Sequence, residues 1–417
     1  MKEIKEDRGR YVAFSDEDRG QHIWQPLRLM SFISLCLLLS PFVSFVHAEE
    51  TDEYQEGFLT SYLNRAIEKG MEVSPMGDLE GAEPLRYGRN VTKFVTAPQF
   101  GGYVVGRYSY SSKDNVGTNG FDARLIRVYV SGTVLRDFRY RVQMELKNPS
   151  MRDYTLEWVR FKEFQVKVGQ FKRCFTFENP MNPWDVGLGN YSQLAGRMTA
   201  LVDDDCSGEP GQNGRDIGLQ LQGDLFPVGK DKHRLVRYQA AVYNGNGQNK
   251  KDNNKQKDWI GNIQVQPIKD LYIGLFGWTG TYTGSNGVSV KRNRWALSGK
   301  YEHKDWSFRA EYAHHTGRNV NDFDAETQTW REGSTDKADA WYVLAGVPVT
   351  PWLKIYGSYD VYRKDATWGA MRSVYSICPN FQLHRNLMFR AQYNYVNDRT
   401  AADRNYHELC LQTYVRF

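Results

Sequence analysis

Outside one segment near its start, the sequence has no run of about 18 or more apolar residues, which excludes a bundle of membrane-spanning helices. It also lacks an excess of one charge. Lys and Arg number 54 against 49 Asp and Glu, a balance that does not mark a nucleic-acid binder. Cysteine is scarce, with five in 417 residues and no C-x-x-C spacing, so neither structural zinc nor any other metal or cofactor is expected. Apolar residues are only 41% of the chain, whereas aromatics reach 14% and glycines number 37. That mixture favours strands and tight turns over helices. A mean hydropathy of −0.63 still permits one membrane architecture, a β-barrel whose lipid-facing and lumen-facing residues alternate along each strand.

The exceptional segment, residues 31–46 (SFISLCLLLSPFVSFV), follows Arg28 and leads into Val46-His47-Ala48. This is the pattern of a secretory signal peptide cleaved near Ala48. Pro41 within the run and the acidic residues after it argue against a core helix. The 29 residues before Met30 are polar and atypical of a leader, which opens a reading in which translation starts downstream of Met1. Residues 49–95 read as a periplasmic segment with a short helix over 58–69 and a linker beyond. Of the remaining cysteines, Cys174 and Cys206 would close a loop inside one long connection if they paired, a disulfide that an oxidising compartment allows. Cys410 reads as an unpaired residue of a strand.

From residue 96 onward the chain divides into segments of about ten residues with period-two alternation, the size and pattern of a tilted membrane-spanning strand. Between residues 138 and 147, Phe138, Tyr140, Val142, Met144 and Leu146 share one face, and Arg139, Arg141, Gln143, Glu145 and Lys147 share the other. Sixteen such segments are expected, near 100–110, 121–134, 137–147, 153–161, 164–171, 214–225, 233–243, 258–266, 271–280, 292–302, 306–315, 337–348, 352–362, 371–382, 387–396 and 405–417. Short connections alternate with longer ones rich in Gly, Asn, Asp and Lys, the rim asymmetry of an outer-membrane barrel. The last segment alternates to the terminal Phe417, which resembles the C-terminal signal of such barrels. The expected fold is therefore all-β, a 16-stranded antiparallel transmembrane β-barrel whose long third extracellular loop folds inward.

Charges that line a lumen set its selectivity. In strands of readable phase the inward face carries Arg107, Arg127, Arg139, Arg141, Lys147, Lys167, Arg237, Arg294, Lys300, Arg309, Lys354, Arg390 and Arg416. Against these stand Glu145, Glu157, Glu302, Glu311, Asp360 and Glu408. This excess of cations favours anions, with Arg107, Arg127, Arg139, Arg141 and Lys167 as candidate wall residues. The longest connection, 172–213, is far beyond ordinary loop length, and loops of that size are usually functional. Its Lys172, Arg173 and Arg197, with Arg215 just beyond, are the candidate constriction. Asp203-Asp204-Asp205 invites a calcium reading, but an exposed acidic tip is preferred because further oxygen ligands are not identifiable.

Val168-Gly169-Gln170-Phe171-Lys172 with Phe175, Gly214-Arg215-Asp216-Ile217-Gly218, and the 121–148 segment with Ser131-Gly132-Thr133 together resemble the phosphate-selective porin O and P family of Gram-negative outer membranes. The resemblance covers roughly 95–417. It implies a homotrimer of barrels in the outer membrane, passing phosphate or other small anions through a constriction of Arg and Lys. Arg173-Cys174 departs from the family, in which a Pro is common before the Phe, and selectivity does not transfer with the fold. No Ser/His/Asp arrangement is fixed by spacing, so an enzyme is not expected. A rim hydrolase using His314-His315 and a non-channel adhesin or structural barrel are the alternatives.

Overall fold

The computed structural model describes residues 98–113 and 119–417. The expected signal peptide, its expected cleavage site and the 49–95 segment lie outside the described residues. The described chain forms sixteen long strands: β1 (Gln99–Ser111), β2 (Gly120–Val134), β3 (Phe138–Glu145), β4 (Ser150–Trp158), β5 (Gln165–Lys172), β6 (Arg215–Val228), β7 (His233–Tyr243), β8 (Asp258–Ile268), β9 (Leu271–Thr283), β10 (Ser289–His303), β11 (Trp306–Thr316), β12 (Lys337–Thr350), β13 (Leu353–Arg363), β14 (Met371–His384), β15 (Leu387–Asp398) and β16 (Asn405–Arg416). Each pairs antiparallel with its sequence neighbours, and β1 pairs with β16 to close a barrel. Closure leaves no sheet edge, so the strand backbone is hydrogen-bonded between neighbours.

Alternation along each strand separates two faces. In β8, Asp258, Ile260, Asn262, Gln264 and Gln266 are buried, while Trp259, Ile263 and Val265 are exposed. In β10, Val290, Arg292, Arg294, Ala296 and Ser298 are buried between exposed Trp295 and Leu297. The outward face is thus largely apolar, whereas the inward face carries most of the polar residues together with a set of apolar ones such as Ile260 and Ala296. Seven short turns lie on one rim, and mostly longer connections on the other. The turn between β10 and β11 has Lys304 and Asp305 at φ 45° and 67°, the positive-φ pair that two-residue hairpins require.

Strand β4 begins three residues before its expected start. A bulge skips Arg152 where Gln143 pairs with Asp153 and Met144 with Met151. A second bulge skips Arg124 where β1 pairs with β2. Each extra residue reverses the phase of its strand.

The 173–214 connection is pinned at both ends. Arg173 N donates to Gly214 O at 2.8 Å, and Asn179 Nδ2 donates to Arg173 O at 2.8 Å and to Gly214 O at 3.3 Å. A Cβ on Gly214, at φ +66°, would stand 2.0 Å from Asn179 Oδ1, so this position requires glycine. Between these ends a short helix α1 (Gln193–Met198) is capped by Ser192. The connection bonds to buried-face wall groups on many strands. Glu311 of β11 accepts from Phe177 N at 2.7 Å and Glu178 N at 2.9 Å, Asp360 of β13 from Gln193 N at 2.7 Å, and Gln392 of β15 from Gly189 N at 2.6 Å. Asn262 of β8 donates to Cys174 O and Asn380 of β14 to Gly187 O, both at 2.9 Å. Phe175 and Phe177 pack on Phe276 and Trp278 of β9 with ring centres 5.4 to 6.3 Å apart. The apolar core of this barrel therefore lies in its interior, between wall and connection.

The conceivable Cys174–Cys206 disulfide is not formed. Both thiols are free and buried, Cys174 Sγ directed to Ile260 O and Cys206 Sγ to the Tyr362 hydroxyl, each at 3.8 Å. Burial pushes both thiols up to about 12. Cys410 is likewise free, in β16.

Candidate functional site

Nine cations were expected from sequence to line an ion pathway, and the structure divides them by what compensates their charge. Four face carboxylates across neighbouring strands. Arg107 forms a two-pronged pair with Asp122, both bonds 2.8 Å. Arg127 donates to Glu145 at 2.9 Å and to the Tyr103 hydroxyl at 3.0 Å. Arg139 and Lys167 share Glu157, at 2.6 and 3.0 Å. Arg141, by contrast, lays its guanidinium 4.3 Å over the Tyr129 ring. Lys172 donates to the carbonyls of Asn179 at 2.8 Å and Met181 at 2.5 Å, and to the Tyr191 hydroxyl. Arg215 grips Asp153 at 2.8 and 3.1 Å.

Arg173 lies elsewhere. With no exposed side-chain surface, it holds Glu209 at 2.8 and 3.0 Å and Asp216 at 2.9 Å. Arg292 bonds both Glu209 and Asp258, and Arg294 bonds Asp204 at 2.5 Å. The three guanidiniums surround Trp278 at 5.0, 4.8 and 4.5 Å from its rings. Three arginines and four carboxylates thereby lock the connection to β6, β8 and β10. Burial alone would raise Asp204, but Arg294 and Arg292 hold it down at about 2. The same balance applies to Arg173, whose charge burial opposes and Glu209 and Asp216 sustain. Arg197, on α1, pairs with Asp205 and lies 5.1 Å over the Tyr362 ring. The Asp203-Asp204-Asp205 run is thus divided, with Asp203 accepting from Gly211 N at 2.9 Å.

Four of the nine candidates meet. Arg127, Arg141, Lys172 and Arg215 line a small cavity of about 30 Å³ with Tyr103, Asp153 and the 180–183 segment. A wider cavity of about 680 Å³ opens toward the short-turn rim, lined by Lys300, Lys354, Arg390, Arg416, Trp184 and Tyr356 among others.

Several interior residues escaped the sequence reading. The two bulges bring Arg124 and Arg152 to the inner face beside Arg127 and Asp153. Arg124 donates to Gln412 at 3.0 Å and the Tyr414 hydroxyl at 2.8 Å, and Arg152 to Gln248 at 3.1 Å. Acids were missed too. Asp122, Asp153, Asp216, Asp224 and Asp258 each pair with an arginine of the interior, so the interior is less one-sided than the strand count implies. Positive charge is left over where one carboxylate serves two cations, as Glu157 does for Arg139 and Lys167, and where hydrogen bonds run to neutral groups. Arg124 and Arg390 bond in that second way, Arg390 donating to the carbonyls of Pro183 at 2.9 Å and Leu188 at 3.1 Å and to the Tyr414 hydroxyl at 3.1 Å. Asp185 shares the wide cavity with Arg390, and Asp153 the small one with Arg141.

No family model matches the chain, and no curated protein matches its sequence. Among solved structures it is similar to an anion-selective porin from Comamonas acidovorans (TM-score 0.57, 10% identity, covering 77% of this chain and 99% of that one). It is similar also to the trimer form of OmpT, an outer membrane protein of Vibrio cholerae (0.52, 13%, 77% and 99%), and to the outer membrane channel DcaP of Acinetobacter baumannii (0.50, 11%, 80% and 100%). At these identities the likeness is one of fold. It reaches the closed sixteen-stranded architecture of Gram-negative outer-membrane porins in general, and not the phosphate-selective group that the sequence motifs resemble.

Proposed function

We propose that this protein is an outer-membrane porin, a passive channel for small anionic solutes rather than an enzyme, and that it works as a homotrimer. The observation that carries the reading is the inverted barrel with its small basic cavity. Its outer surface is apolar between two aromatic bands, one including Tyr359, Tyr375, Tyr395 and His407 in register across β13 to β16, the other including Trp306, Phe308, Trp352 and Phe381. Bands of this kind mark the two interfaces of a bilayer.

Inside, the 173–214 connection narrows the passage and presses it against β2 to β6, where Arg127, Arg141, Lys172 and Arg215 converge. In a narrow, partly dehydrated passage a fixed charge is screened less than at an open surface. The cations there outnumber the carboxylate Asp153 that lies among them, and the excess draws anions in. Phosphate is among the small oxyanions such a path would take, as are sulfate and carboxylates. The trimeric state follows the analogy with the OmpT trimer form.

Reconstitution into planar bilayers tests the proposal. Discrete, stable current steps from the folded protein are expected, and an assembled barrel that carries no ion current would exclude a channel.

A further inference from the structure

We infer that the two interior cavities are successive chambers of one path, and that Trp184 decides which solutes cross between them, favouring organic anions with a flat apolar body over compact anions. The inference rests on the anion-channel reading above.

Local sequence presents the tryptophan. In Asn182-Pro183-Trp184-Asp185, Asp185 N donates to Asn182 O at 2.9 Å and Trp184 N to Asn182 Oδ1 at 3.0 Å. This is a β-turn with asparagine at its first position and proline at its second, where the ring presets φ. The turn is held from both sides. Lys172 clamps the carbonyls of Asn179 and Met181, while Arg390 clamps those of Pro183, Trp184 and Leu188.

The clamped segment separates the cavities. Met181 lines both, Asn182 and Pro183 line the small basic one, and Trp184 and Asp185 line the wide one. At the divide the half-buried indole lies under the Arg416 guanidinium at 4.5 Å and meets the Tyr414 ring edge-on, 5.8 Å between centres. The Tyr414 hydroxyl in turn accepts from Arg124 and Arg390. A solute at this point meets the Arg416 guanidinium and the half-buried indole together, with Asp185 beside them. A carboxylate is recognised by the first, and a flat apolar body by the second. A compact inorganic oxyanion has no surface to place on the indole, so the ring only obstructs it.

The test uses the reconstituted full chain, with benzoate and acetate as competing probes of the chloride current. Wild type should be blocked by benzoate at roughly threefold to tenfold lower concentration than by acetate, the range expected of one aromatic contact. Trp184→Ala should equalise the two probes and raise the KCl conductance, whereas Trp184→Phe should keep part of the preference. Equal block by both probes in wild type would overturn the inference, and it needs no variant. So would a benzoate preference that survives in Trp184→Ala. A wild-type barrel with no current fails the channel reading itself, whereas current without discrimination fails only the role given to Trp184.

Discussion

Replacing Glu178 with glutamine should stabilise the 173–214 connection at neutral and alkaline pH and leave it unchanged in acid. Glu178 is fully buried in that connection, its Oε2 taken by the Ser192 hydroxyl and its Oε1 without a hydrogen-bond partner. Arg309 is 3.9 Å away, too far for a hydrogen bond, and the carboxylates of Glu311 and Asp360 add repulsion. Burial, only partly offset by Arg309 and Ser192, therefore pushes the group up from 4.5 to about 7.

A carboxyl that binds its proton more tightly in the held connection than in an open one makes the held state less stable as pH rises. The loss begins near 4.5, grows through about 7 and is then constant. At about 1.4 kcal/mol per unit, the ionised form costs roughly 3 kcal/mol, on the order of a hundredfold in the opening equilibrium. Glutamine still accepts from Ser192 but does not ionise. Hydrogen exchange of the amides of residues 173–192, corrected for intrinsic rates, should show protection falling with pH in wild type and flat in Glu178→Gln. The reasoning is refuted if both proteins lose protection equally between pH 5 and pH 8, a window chosen to bracket the shifted titration.

Arg292→Ala leaves Glu209 and Asp258 buried beside Trp278 with their shared cation gone, which should cost roughly 3–5 kcal/mol; a heat-modifiability midpoint equal to wild type would argue against the lock. Alkylation near pH 8 should leave Cys174 and Cys206 unlabelled in the folded barrel, because burial holds both thiols at about 12, and should label both once the chain is denatured without reductant. Neutralising Arg141 or Arg124 with glutamine should move the reversal potential toward cations, and a reversal potential equal to wild type in both variants would show that neither side chain faces the ion path.

Much of the fold could be read from alternation alone. A period of two is a local property, and each of the sixteen expected segments overlaps an observed strand because lipid-facing and interior residues differ so sharply in polarity. The Phe138–Glu145 strand shows this best, with Val142 and Met144 exposed and Gln143 and Glu145 buried. What alternation cannot reveal is a bulge, since the extra residue is defined only against its partner strand. Arg124 and Arg152 were therefore missed, and β4 was displaced.

The interior chemistry was less legible for a related reason. Arg173 lies in the long connection, yet its surroundings depend on Glu209, Asp216, Arg292 and Trp278, which come together only after the barrel closes. The interior acids sit near strand ends such as Asp122 and Asp258, where the phase of a short pattern is weakest. Cys174 and Cys206 share one connection but face different strands, β8 and β13, a separation that spacing does not encode.

The central claim is that the interior favours anions, and the reversal potential of wild-type protein in a planar bilayer under a KCl gradient tests it most directly. Chloride should be the more permeant ion, with the preference shrinking as salt rises and screening shortens the reach of Arg124, Arg141 and Arg390. A reversal potential at zero, or one of the sign that potassium permeation gives, would contradict the account.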